Sequence, residues 1–249
     1  MSNGISGNSC CHCRCEQRLR REHCASPCQA GRNRDFGSAA QGPARCDCEG
    51  HWSKRRQGAS TGRGRDEAAD VEGLVKKAVD TFGKIDVLVS NAGIMPIAPL
   101  ALLKVDEWDR MIDLNIKGVL YGVAAALPQM RKQQSGHFIN VASVFGIKVF
   151  APGGTIYCAT KAAVRTLTEG LRMEVHSDNI RTTIIDPGAV ASELKESTSD
   201  QDSSKAVKQL YEAWSIPAES IARAVAYAIE QPADVDINEI VVRPVMQDF

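Results

Sequence analysis

Residues 85–93, Ile85-Asp86-Val87-Leu88-Val89-Ser90-Asn91-Ala92-Gly93, form a short aliphatic run that ends abruptly in small, turn-forming residues. Such a run reads as a buried strand feeding a tight turn. Before it, Val71, Leu74, Val75, Ala78, Val79 and Phe82 recur at helical spacing and Gly83 follows as a stop, so a helix delivers the chain to the strand. The alternation continues beyond it. Helical patterns occupy 108–112 and 115–130, His137-Phe138-Ile139-Asn140-Val141 reads as a second strand, and a helix is predicted over 155–176. A third strand, Arg181-Thr182-Thr183-Ile184-Ile185, is halted by Asp186-Pro187-Gly188. The polar stretch 192–204 is predicted to be a mobile loop and candidate lid ahead of a helix near 207–214. A further helix spans 219–231, and Glu239-Ile240-Val241-Val242 is the last strand.

Strands alternating with helices of this length imply βαβ units, a mostly parallel sheet and ligand binding at the carboxyl ends of its strands. At 249 residues the chain is long enough for one substantial core, so a single α/β domain is expected. A formal net charge of zero and 43% hydrophobic residues argue against a nucleic-acid partner and against a disordered acidic chain. No apolar stretch approaches the roughly 18 residues of a membrane span, and residues 1–9 lack the order of a signal peptide. The cytoplasm is the expected location, with no membrane partner.

The average charge conceals a division near residue 65. Residues 1–65 carry a net charge of +7 and the rest −7, and eight of the nine cysteines lie between Cys10 and Cys48. Between Ser6 and Asp70 the only Val, Leu, Ile or Met is Leu19, so no buried parallel strand is predicted there. The chain therefore divides into an atypical Cys/Arg-rich segment, 1–65, and a region with ordinary core patterning, 66–249.

That second region carries a series of motifs. Asn91-Ala92-Gly93 follows a strand, Asn115 lies in a helix, Ser143 follows a strand, Tyr157-x-x-x-Lys161 lies on a helix, and Pro187-Gly188 follows another strand. In this order and spacing the series resembles the short-chain dehydrogenase/reductases of the classical type, over about 66–249. The resemblance implies a Rossmann-like, doubly wound parallel sheet and an NAD(P)-dependent oxidoreductase. The implied reaction is hydride transfer between a nicotinamide dinucleotide and a small secondary alcohol or carbonyl substrate.

Reducing a carbonyl requires a hydride from one face and a proton for the developing alkoxide, and Tyr157 is the expected proton donor. A free phenol has a pKa of roughly 10, so a neighbouring cation must stabilise its anion in the oxidising direction. Lys161, four residues on along a helix, shares a face with Tyr157 and supplies that charge. Ser143 would hydrogen-bond the substrate oxygen. By resemblance, Lys161 also binds the cofactor ribose, and Asn115 joins it through a water in a proton relay. By the same resemblance Asn91, Ala92 and Gly93 pass close to the cofactor, Pro187, Gly188 and Val190 border the nicotinamide, and Ser192 replaces the family's usual Thr. A homotetramer or dimer through long helices is likewise implied, and no metal is expected at the site.

Residues 9–65 depart from the family pattern, which opens with a strand and a T-G-x-x-x-G-x-G turn that admits the pyrophosphate to a helix N-terminus. The literal match at Gly58-Ala59-Ser60-Thr61-Gly62-Arg63-Gly64 follows the basic, polar stretch His51-Trp52-Ser53-Lys54-Arg55-Arg56 and is read as a chance one. Codon degeneracy offers another account. Codons for residues 10–22, read from their second base, permit A-V-I-A-G-A-S-S-G-L-G-E, a strand with the glycine motif. The same shift permits T-V-I-L-A-A-R over 33–40 and A-L-A-V-D-V over 60–65. Two compensating frameshifts, near Asn8 and Arg65, would thus have replaced a normal nucleotide-binding half, leaving its strands missing or disordered in the chain as written. The shifted A-A-R-R suits a 2′-phosphate, which favours NADP over NAD. Resequencing codons 8–66 tests this: a confirmed uninterrupted frame contradicts a sequencing error. The rival accounts are a zinc-binding module made by Cys10, Cys11, Cys13, Cys15, Cys24, Cys28, Cys46, Cys48, His12, His23 and His51, and a non-enzymatic remnant unable to bind cofactor.

Overall fold

The strand run at 85–90 and its three successors are observed as neighbours in one sheet. The computed structural model describes residues 10–13 and 63–248. In chain order these form β1 (Cys10–Cys13), α1 (Arg63–Phe82), β2 (Val87–Ser90), α2 (Val105–Met111), α3 (Gly118–Gln133), β3 (Gly136–Val141), α4 (Thr155–Val175), β4 (Ile180–Pro187), α5 (Gln201–Trp214), α6 (Glu219–Ile229) and β5 (Glu239–Val242). Among the described residues the sheet runs β1-β2-β3-β4-β5, and each neighbouring pair is parallel.

Alternate residues of the central strands β2 and β3 are buried against helices on opposite faces. Leu88 and Phe138 pack with Val75 of α1 and Ala126 and Met130 of α3, whereas Val87, Val89, Ile139 and Ile185 pack with Ile221 and Val225 of α6. Both faces are therefore covered, which is why the strands read as nearly unbroken aliphatic runs. This is the Rossmann-like α/β arrangement. Its register brings the ends of β2, β3 and β4 level, with Ser90 opposite Asn140 and Val141 opposite Ile185. The turns after these strands consequently share the carboxyl edge of the sheet.

Three sequence readings need correction. A strand does form between residues 9 and 65: Cys10–Cys13 pairs in parallel with β2. Main-chain pairing along an available strand edge needs only backbone N–H and C=O groups, so the lack of aliphatic residues did not forbid it. These are also the positions where the shifted reading begins its strand. The rest of the frameshift and zinc-module readings, 14–62, lies outside the described residues. Second, 192–204 is not one loop. Residues Glu193–Ser197 form a 3-10 turn, and α5 starts at Gln201 because the Asp200 carboxylate caps it, accepting from the Ser203 N–H at 2.9 Å. Third, the gap predicted between 112 and 115 is a π-helical turn, Ile112–Lys117, that joins α2 to α3.

Candidate active site

The π turn sets the position of Asn115. Wide turns of this kind insert an extra residue and are frequent at functional sites. The buried Asn115 carboxamide accepts from the Ile94 N–H at 2.9 Å and donates to the Ile94 carbonyl at 3.0 Å and to Thr160 Oγ1 at 3.1 Å. It thereby ties the turn after β2 to α4. A Cβ on Gly93 would stand 3.1 Å from Asn115 Oδ1 and 3.5 Å from Lys161 Nζ, so a side chain there would crowd both. The Gly93 main chain passes close to these two residues.

Tyr157 and Lys161 occupy successive turns of α4, both nearly inaccessible to solvent. Lys161 Nζ lies 5.8 Å from the Tyr157 ring centroid and donates to the Val141 carbonyl at 2.9 Å. Burial lowers its pKa to about 8, with the Asp186 carboxylate pulling the other way. The Tyr157 phenol moves far above its ordinary value, chiefly by burial and then by Tyr211, while a hydrogen bond with Ser143 opposes the rise. The Ser143 hydroxyl accepts from the Phe145 N–H at 3.1 Å and is within 3.4 Å of the Pro187 carbonyl.

Beneath Ser143 is a group that the sequence reading missed. Asp186, completely buried, accepts the Ser143 N–H at 3.1 Å and forms an ion pair with Arg165, which also grips Glu239 in a bidentate pair at 3.0 and 3.0 Å. Burial raises the Asp186 pKa and Arg165 opposes it. A carboxylate directly after the Ile184-Ile185 pair of a strand was the available signal. Gln247 gave none, yet its Oε1 accepts the Ala189 N–H at 3.0 Å and would lie 2.1 Å from a Cβ on Gly188. Only glycine fits there without displacing Gln247. Val190 bridges to Ile216, whereas Ser192 is exposed and makes no side-chain cap to the turn it opens.

Asn115, Ser143, Tyr157 and Lys161 are thus brought together, with 91–93 and 187–190 at the same sheet edge. A shallow surface depression of about 440 Å³ beside α5, lined by Thr198, Lys205 and Glu212 among others, contains none of them. Among the described residues no group of three or more His, Cys, Asp or Glu side chains could hold a metal ion, and no helix is long and apolar enough to cross a membrane.

A sheet of this kind with a Ser-Tyr-Lys grouping at its carboxyl edge defines a class of redox enzyme. Residues 64–203 match the short chain dehydrogenase family, and the chain belongs to it. It is an oxidoreductase by family. An uncharacterized oxidoreductase of Staphylococcus saprophyticus is 52% identical over 182 residues, covering 72% of this chain and 73% of that protein. Among solved structures, the closed form of serine dehydrogenase complexed with NADP+ is similar at 35% identity and a TM-score of 0.67, covering 73% of this chain and 74% of that one. An alcohol dehydrogenase from the archaeon Thermococcus sibiricus, complexed with 5-hydroxy-NADP, is similar at 29% identity and a TM-score of 0.62, covering 72% of each chain.

Proposed function

We propose that the chain transfers a hydride between a nicotinamide dinucleotide and a secondary alcohol or the corresponding carbonyl compound, with Tyr157 giving and taking the proton. The observation that carries this reading is a dry phenol beside a dry ammonium on successive turns of one helix, 5.8 Å from ring centroid to Nζ, at the carboxyl edge of a parallel sheet.

The described residues fit the nicotinamide end of such a cofactor. At Gly93 the main chain crosses Asn115 and Lys161 where a Cβ would crowd both, and Pro187 and Gly188 form a second ledge fixed from behind by Gln247. Asn91, Ala92, Gly93, Tyr157, Lys161, Pro187, Gly188, Val190 and Ser192 are the residues that would hold it. The two NADP-bearing neighbours favour NADP over NAD. When bound, the dinucleotide supplies or accepts the hydride.

The chain's own residues handle the substrate oxygen and its proton. Ser143, held by Asp186 from below, directs its hydroxyl to that oxygen and stabilises charge developing there. Tyr157 stays protonated across the neutral range because burial disfavours its anion, so it is poised to donate to a developing alkoxide. Lys161, charged below a pKa of about 8, lowers the cost of the phenolate left behind. Asn115 positions the Gly93 turn above Lys161 and, with a water, would continue the path for the proton.

Calorimetric titration of NADP and of NAD into the full chain tests the reading. Saturable binding, tighter for NADP, is the expected result. Failure to bind either coenzyme would favour a non-enzymatic remnant instead.

A further inference from the structure

We propose that the substrate is an uncharged, predominantly apolar ketone or secondary alcohol, enclosed between Tyr157 and the α5 side chains Val207 and Tyr211. This rests on the hydride-transfer reading and adds the substrate class to it. The buried apolar side chains that cluster with Tyr157 are Met95, Ile97, Met111, Val207 and Tyr211, with Leu194, Phe145 and Phe150 packed against them, and the buried polar groups beside them are Ser143, Lys161 and Thr198. Phe145 meets the Tyr157 ring edge-on at 6.4 Å. Methionines suit such a wall because they adapt to irregular apolar shapes.

The charged groups closest to Tyr157, Lys161 and Asp186, are already engaged. Lys161 donates to the Val141 carbonyl, and Asp186 is held by Arg165 and the Ser143 N–H. On the segment that covers Tyr157, Glu196 and Lys208 pair with each other at 2.7 Å. A substrate carboxylate or ammonium would be desolvated against apolar groups, which is strongly unfavourable without a partner. Lys195, half-buried on the turn beside Leu194, is a cation outside these pairs.

Tyr211 adds a second observation. It is more than nine-tenths buried and close enough to raise the Tyr157 pKa. A neutral oxygen on the substrate would bond its hydroxyl without introducing charge. Tyr211 is therefore assigned as a specificity residue.

The test is a set of reduction rates for the full chain with NADPH and NADH on butanone, methyl butyl ketone, methyl hexyl ketone and acetoacetate, beside oxidation of L-serine with NADP and NAD. The expected kcat/KM rises roughly tenfold or more from butanone to methyl hexyl ketone, and acetoacetate and serine fall below every uncharged ketone. In Tyr211→Ala, KM for methyl hexyl ketone should rise several-fold with kcat kept, while Tyr211→Phe retains the chain-length preference. A preference for acetoacetate or serine, or rates indifferent to chain length, would overturn the substrate class and leave hydride transfer standing. No turnover of any compound with either coenzyme would overturn the hydride-transfer reading and this inference with it.

Discussion

Asp186 shows how one buried charge supports the site. Its carboxylate is fully inaccessible while Arg165 and Glu239 are partly exposed, so removing each partner has a different consequence. Arg165→Ala leaves a buried carboxylate unpaired and is expected to cost about 3–5 kcal/mol in denaturant unfolding. Glu239→Gln breaks only the outer pair and should cost about 1 kcal/mol or less. His137 makes a second prediction at this scale. Thr183 donates its only hydroxyl proton to the Ile237 carbonyl at 2.6 Å, so at 2.7 Å His137 Nε2 must be the donor to Thr183. That leaves Nδ1 bare, and among the described residues it has no partner. Protonation there has nothing to bond, and burial, then Arg181, lowers the pKa to about 3. Because the unfolded imidazole takes up its proton near its ordinary value of about 6.5, stability should fall as pH drops from there towards about 3. His137→Val should remove up to about 2 kcal/mol of the stability lost between about pH 7 and about pH 5, read as the difference from the parent in unfolding midpoints.

The segment over Tyr157 is an element with a specific latch. Ser197 Oγ accepts the Met95 N–H at 3.0 Å, and Thr198 Oγ1 accepts the Ile97 N–H at 3.1 Å and is within 3.2 Å of the Met95 carbonyl. Thr198→Val keeps the shape but leaves the Ile97 N–H and the Met95 carbonyl without this partner, a cost of roughly 1–3 kcal/mol while the cover is closed. Amide exchange should therefore quicken across 193–214 and stay unchanged in β3 and β4. Equal exchange in both proteins would show that these bonds do not hold the cover. The latch was not legible in the sequence: Ser197 and Thr198 sit in a polar run, and their partners are about a hundred residues away. By contrast, the strand at 85–90, the Tyr157–Lys161 pair and the turn at 187–188 could be read directly. Local periodicity and spacing along one helix carry that information. The π turn at 112–117 could not be read, because its extra residue is set by Asn115 reaching back to Ile94.

At the scale of the whole molecule, four strands, the covering helices and the grouped site follow from residues 66–249, whose pattern is strong enough to define an α/β sheet. The strand at Cys10–Cys13 escaped because its composition is unlike any buried strand and its place depends on β2. The matched family region, 64–203, begins at the same boundary where charge, cysteine and aliphatic content change. The central claim is that Tyr157 is the proton donor in nicotinamide-dependent carbonyl reduction. Its most direct test is the rate of NADPH-dependent reduction of methyl hexyl ketone by the full chain beside its Tyr157→Phe variant, across pH. The parent should show a kcat/KM that is level below pH about 8 and falls above it as Lys161 loses its proton. The variant should still bind NADP saturably yet lose at least about a hundredfold in rate. A variant that keeps the parent's rate would contradict the account.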